Sequence, residues 1–167
     1  GDRPLAGKLD RAFRREVARL KPVDFVDAKL QERDQRHDRH GATRYVVEPN
    51  IKEGKGGLRD LHTLFWIAKF AYRADSIIDI VDKGILRESE ARRFAAAQRF
   101  LWTVRCHLHL RSGRPEERLD FDAQMAIAPL MGFASRGGMR DVERFMKRYY
   151  LAVRDVGNLT RIICAAM

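Results

Sequence analysis

The chain has 167 residues, 45% of them hydrophobic and 34% charged, and a formal net charge of +10. That length and balance fit one domain with a substantial core and exclude a disordered chain, while no apolar run nears the ~20 residues of a membrane-spanning helix. The basic excess invites nucleic acid as a partner, but it is spread thinly and no basic arm emerges, so a mildly basic solvated surface is expected, with neither nucleic acid nor membrane as partner.

Almost all apolar periodicity is helical. Residues 6–20 are expected to form a first amphipathic helix with Leu9, Phe13, Val17 and Leu20 on one face, broken at Lys21-Pro22. Asp24 can cap a second helix that runs to about His40. Its apolar residues are Phe25, Ala28 and Leu30, and its second half, QERDQRHDRH, is polar all round, which predicts projection into solvent or against another domain. The run RYVVE at 44–48 is the one strand-like stretch, short and followed by Pro49.

A third helix is expected from Gly57 or Leu58 to about Arg73, its centre LFWIAKFAY apolar on nearly every side and hence buried. A short helix at about 75–83 ends at Gly84, and Ser89 can cap a long one over 89–112 with Phe94, Ala97, Leu101, Val104 and Leu108 on its seam. After a loop, a short helix is expected from Gln124 to Met131. The last, over about 139–166, repeats Val142, Phe145, Tyr149, Val153, Val156, Leu159 and Ile163 at spacings of three and four. The expected fold is all-α, an antiparallel four-helix-type bundle with short extra helices and one glycine-rich loop. Cys106 and Cys164, far apart in apolar helical settings, read as buried free thiols of a cytoplasmic protein. The first residues lack the apolar core of a signal peptide, and Gly1, in place of an initiator Met, reads as a cut end.

The stretch EPNIKEGKGGLRDLHT, residues 48–63, concentrates the chemistry. Gly54, Gly56 and Gly57 allow positive φ and close approach just before a helix N-terminus, where free N–H groups favour an anion, and Lys52, Lys55 and Arg59 add charge. It is not a Walker loop, because Leu58 stands where Lys-Ser/Thr is needed. Both a phosphate site and a tight structural turn fit these residues. Asp60 suits the helix start, whereas Arg59 opposes the dipole and needs a partner: Glu48, Glu53 or a phosphate.

The other candidates are weaker. Asp120-Phe121-Asp122 has the spacing of a metal-binding pair but sits at a helix start, where either Asp is more simply an N-cap. Five histidines form no legible metal set, and no Ser-His-Asp or Cys-His group can be read. Tyr149 and Tyr150 stand at core spacing.

The runs YVVEPNIKEGKGGLRDLHTLFWIAKF, FLWTVRCHLHLRSGRPEERLDFD and DVERFMKRYYLAVRDVG closely resemble the PII uridylyltransferase/uridylyl-removing enzymes of proteobacteria, over roughly residues 22–166. The Gly-Gly-Leu-Arg-Asp element is shared more loosely with glutamine synthetase adenylyltransferases. The resemblance implies an enzyme that senses glutamine as effector, transfers UMP from UTP to a tyrosine of the PII signalling protein with Mg²⁺, and removes it when glutamine is high. It implies a parent chain with a nucleotidyltransferase core, a helical domain like this one, an HD hydrolase domain and two ACT domains. The Gly-Ser turn and metal-binding pair of the core are absent here, as are the HD and ACT domains. Residues 1–167 are therefore expected to be a single helical accessory domain, inactive alone, with no catalytic residue and no metal or cofactor of its own. On this resemblance Lys52, Gly54, Lys55, Gly56, Gly57 and Arg59 are nucleotide- or phosphate-binding candidates, and Asp60 an auxiliary carboxylate or the residue that orients Arg59. The alternative is an interdomain scaffold that touches no substrate.

Overall fold

The computed structural model describes residues 2–17, 19, 21–40 and 43–165. These form seven α-helices and no strand: α1 (Arg3–Val17), α2 (Pro22–Arg39), α3 (Leu58–Tyr72), α4 (Ile77–Asp82), α5 (Glu88–Ser112), α6 (Phe121–Leu130) and α7 (Asp141–Ala165). The all-α expectation holds. The two 25-residue helices α5 and α7 pack on each other, α6 lies on α7, and α3 contacts α2, α5 and α7.

The seams of α5 and α7 follow their spacing. Phe94, Ala97, Leu101, Val104 and Leu108 are buried, with Phe100 added. On α7, Phe145, Tyr149, Val153, Val156, Leu159 and Ile163 are buried, and Val142 is half-buried. The Phe145 ring meets Phe133 edge-on at 5.6 Å between centroids, an aromatic contact that ties the α6–α7 connection to the core.

Several expectations are corrected. The stripe on α1 is not buried: Leu9 and Phe13 are exposed, while the Val17 side chain and Leu20 lie outside the described residues. Helix α2 begins at Pro22, whose fixed φ and missing N–H suit the first helical position; Lys21 is the N-cap, and Asp24 sits inside the first turn. Most of its polar half is exposed, as expected, but His37 is buried against α3 and Arg36 is half-buried beside it. On α3, Leu58, Leu61, Leu64, Ile67 and Ala68 are buried, but Trp66 is 51% exposed, so an all-round apolar sequence did not produce an all-round burial. Arg87 caps α5 in place of Ser89, since Glu90 accepts its backbone N–H at 2.8 Å. Cys106 is exposed, not buried, and Cys164 is half-buried; both are free.

The run 44–48 is no strand, and bends fall at Arg44, Val47 and Glu48. It is stitched to the helices by other bonds: Tyr150 Oη donates to the Val46 carbonyl at 3.2 Å and Gln124 Nε2 to the Val47 carbonyl at 2.7 Å. Just beyond it, Asn50 and Arg118 form an isolated antiparallel bridge. Asp120 is the N-cap of α6, accepting from the Ala123 N–H at 2.8 Å, which decides the Asp-Phe-Asp motif in favour of the cap.

The glycine loop is seated on α7. Gly56 has φ +83°, and a Cβ there would collide with the Val153 carbonyl. Gly84, at φ +71°, has open space around it. The two substitutions separate strain from collision. Gly84→Ala is expected to cost about 1 kcal/mol, and Gly56→Ala roughly 2–4 kcal/mol, read from urea-unfolding midpoints.

Candidate functional site around the glycine loop

The loop closes on itself before it reaches α3. The Asn50 side chain accepts the N–H groups of Lys52 and Glu53 at 3.0 and 2.7 Å, and the Asn50 carbonyl accepts that of Gly54 at 3.0 Å. The first N–H groups of α3 are also occupied: Leu58 donates to Ile51 at 3.0 Å, Arg59 to Lys52 at 2.9 Å and Asp60 to Gly57 at 3.1 Å. Donors that a helix start ordinarily leaves for an anion are spent inside the loop. Any anion held here must be held chiefly by side chains.

Asp60 is the centre of the arrangement. Its carboxylate accepts from Arg36 Nη2 at 2.6 Å, from His37 Nε2 at 2.8 Å and from the Gly56 N–H at 2.7 Å. A carboxylate only accepts, so His37 Nε2 carries the proton. Burial pushes the Asp60 pKa up, but the bonds from His37 and Gly56, the His37 charge and the Arg36 bond outweigh it, and the net shift is downward. With its oxygens committed to these three donors, Asp60 acts in this structure as a clamp that fixes the loop to α2, not as a free base.

The loop's cations divide between two sides. On the outer side Arg59 donates to Glu53 at 3.0 Å, which names its partner among the alternatives open in the sequence. Lys52 lies 3.9 Å from Glu53 and 3.8 Å from Glu117. Glu117 is also held by Arg105, at 2.6 Å. His62, nearby, is held below its ordinary pKa by burial and by the charges of Arg59, Arg105 and Lys52. On the inner side Lys55 lines a cavity of about 600 Å³ between α2 and α7, with Arg33, His37, Arg44, Asp60 and Arg161.

The six candidate binding residues thus stand in one loop but do different work. Gly54, Gly56 and Gly57 are positions of close approach, each too near a carbonyl for a Cβ. Lys52 and Arg59 face the outer acidic pair, and Lys55 faces the cavity. Among the described residues no group of three or more His, Cys, Asp and Glu could hold a metal ion.

Sequence reasoning missed Arg36, His37, Arg44 and Glu117 as members of the site. His37 was legible: Val26, Leu30, Arg33 and His37 follow one another at spacings of four, three and four, so the buried stripe of α2 continues into its polar half. Gly157 was a weaker signal for Arg44. A glycine inside a long helix often marks a close approach, and here the Arg44 guanidinium lies where its Cβ would be.

Fold and loop together define a helical module that deploys basic side chains around a buried carboxylate. A family model described as GlnD PII-uridylyltransferase matches residues 24–164, and the chain belongs to that family. It is 55% identical over its whole length to a bifunctional uridylyltransferase/uridylyl-removing enzyme of Bradyrhizobium sp. strain BTAi1, 54% to that of Azospirillum brasilense and 55% to that of Rhodospirillum rubrum. In each case the match takes in all of this chain and 18% of the relative, so the chain spans less than a fifth of their length. No solved structure matches it.

The Asp60 clamp sets a pH dependence. Because the folded pKa is lowered, ionised Asp60 stabilises the fold at neutral pH, and that contribution is lost as the pH falls below about 4 toward the folded value. Asp60→Asn is expected to cost roughly 3–5 kcal/mol at pH 7, by leaving Arg36 without its buried partner. The gap between wild type and variant should narrow in acid, measured as unfolding free energy from pH 7 to pH 3.

Proposed function

We propose that this chain is the helical accessory domain of a PII uridylyltransferase/uridylyl-removing enzyme and that it helps to hold UTP or PII for the transfer of UMP to a PII tyrosine. In this reading the longer enzyme is cytoplasmic, uses Mg²⁺ and takes glutamine as the effector that turns transfer into removal. The nucleotidyltransferase core, the HD hydrolase and the ACT domains belong to the rest of that enzyme. Among the described residues no group of three or more His, Cys, Asp and Glu could hold that Mg²⁺. Among them, no helix is long and apolar enough to cross a membrane.

The observation that carries the reading is the family match over residues 24–164, which takes in the whole glycine loop. Lys52, Lys55 or Arg59 is proposed to meet nucleotide phosphates or the departing pyrophosphate, since nucleotidyl transfer gains from cations placed on the leaving charge. Support comes from the side chains of Lys52 and Arg59, which are 34% and 44% exposed and can turn toward a ligand at modest cost. Asp60 positions the loop through Gly56 and Arg36. The second reading, an interdomain scaffold without substrate contact, draws on the same ion pairs: each loop cation on the outer side already has a glutamate.

The test uses the longer enzyme. Transfer of labelled UMP from UTP to PII is expected to fall about 10-fold or more in Arg59→Ala, with helicity unchanged. The 167-residue chain alone is expected to transfer none. Equal transfer by wild type and Arg59→Ala would favour the scaffold reading for this residue.

A further inference from the structure

The inner cavity has a charge pattern that the outer ion pairs do not. Four of its lining residues are cationic: Arg33, Arg44, Lys55 and Arg161. Its two acids are already engaged, Asp34 by Arg33 at 2.7 Å and Asp60 by Arg36 at 2.6 Å. The Arg44 and Arg161 side chains make no hydrogen bond or ion pair with the described residues. Arg44 Nε is buried with no hydrogen-bond partner among the described residues, and the guanidinium is laid across α7 at Gly157, where a Cβ would strike it.

A buried guanidinium N–H without a partner is costly, and a glycine that admits the group to that place fixes it there. The planar forks of Arg44 and Arg161 match phosphate oxygens, and a volume of about 600 Å³ is in the range of small-molecule sites. We propose that the cavity between α2, the glycine loop and α7 binds a polyphosphate anion, held by Arg44 and Arg161 with Lys55 at its inner wall. Only the carrier of that phosphate, a nucleoside triphosphate or inorganic polyphosphate, rests on the functional reading above. Arg59 has no part in it.

The experiment is a calorimetric titration of the 167-residue chain with sodium tripolyphosphate, UTP and uridine at low ionic strength. Tripolyphosphate and UTP are expected to bind and uridine not to. Arg44→Gln and Arg161→Gln should each weaken tripolyphosphate binding about 10-fold or more. Arg140→Gln, an exposed arginine paired with Glu143, should leave it unchanged. UTP at least 10-fold tighter than tripolyphosphate supports a nucleotide as the carrier, and equal affinity supports the phosphate chain itself. No tripolyphosphate binding, or an equal loss in Arg140→Gln, overturns the proposal. Circular dichroism checks each variant, and exposed Arg161 carries the test if Arg44→Gln fails to fold. Tripolyphosphate binding alongside full UMP transfer by Arg59→Ala keeps the cavity and removes the Arg59 contact, so the two proposals fail separately.

Discussion

Everything around the glycine loop depends on one buried carboxylate. Asp60 stands in the first turn of α3, where the helix dipole already favours a negative charge. Its oxygens then take the loop's Gly56 N–H on one side and the Arg36 and His37 side chains of α2 on the other. One residue thereby joins three pieces of chain that hydrophobic contact alone would leave free to slide. A buried ion pair need not add much stability over an apolar substitute, but it is directional, and a loop with three glycines needs direction more than adhesion.

The glycines answer a packing demand before any chemical one. Gly56 turns the loop onto Val153, and Gly57 lets it double back beneath Ile51. The carbonyls of Ile51 and Lys52, brought round by that turn, satisfy the first N–H groups of α3. A loop built to cradle phosphate with its backbone would leave those donors open. This one closes them, and so moves the question of ligand binding from backbone to side chains. The side chains have been sorted accordingly: Lys52 and Arg59 toward Glu53 and Glu117, Lys55 toward the cavity.

Much of the fold was legible because periodicity is a local property. The seams of α5 and α7 could be read residue by residue, since each is a long helix with one buried face. The misreadings share a cause. Helix α3 is apolar all round, so its sequence could not say which side would be left exposed at Trp66. The second half of α2 reads as fully solvated because its one buried residue, His37, is polar, as is the half-buried Arg33 one turn before it. For the site, the glycines, lysines and Arg59-Asp60 pair were visible in one stretch. Arg36, Arg44 and Glu117 were not, because the contacts that give them a role join segments far apart in the chain: 24 residues separate Arg36 from Asp60.

The division of cations has a physical consequence for the module as part of a longer chain. Outer pairs such as Arg59–Glu53 are partly exposed, screened by salt and easily exchanged for another anion, which suits a face that meets a partner transiently. The inner arginines are different. Arg44 is half-buried, its Nε enclosed and its guanidinium laid against Gly157 of α7, so it is held in place more firmly than an exposed surface cation. The Asp60 clamp forms the wall between the two sides. A ligand drawn into the cavity would act on Lys55 and, through the Gly56 N–H bond, on the carboxylate that holds α2. The glycine loop and α2 thus both touch the two sides, the loop through Lys52, Lys55 and Arg59 and α2 through Arg36 at Glu53 and His37 in the cavity.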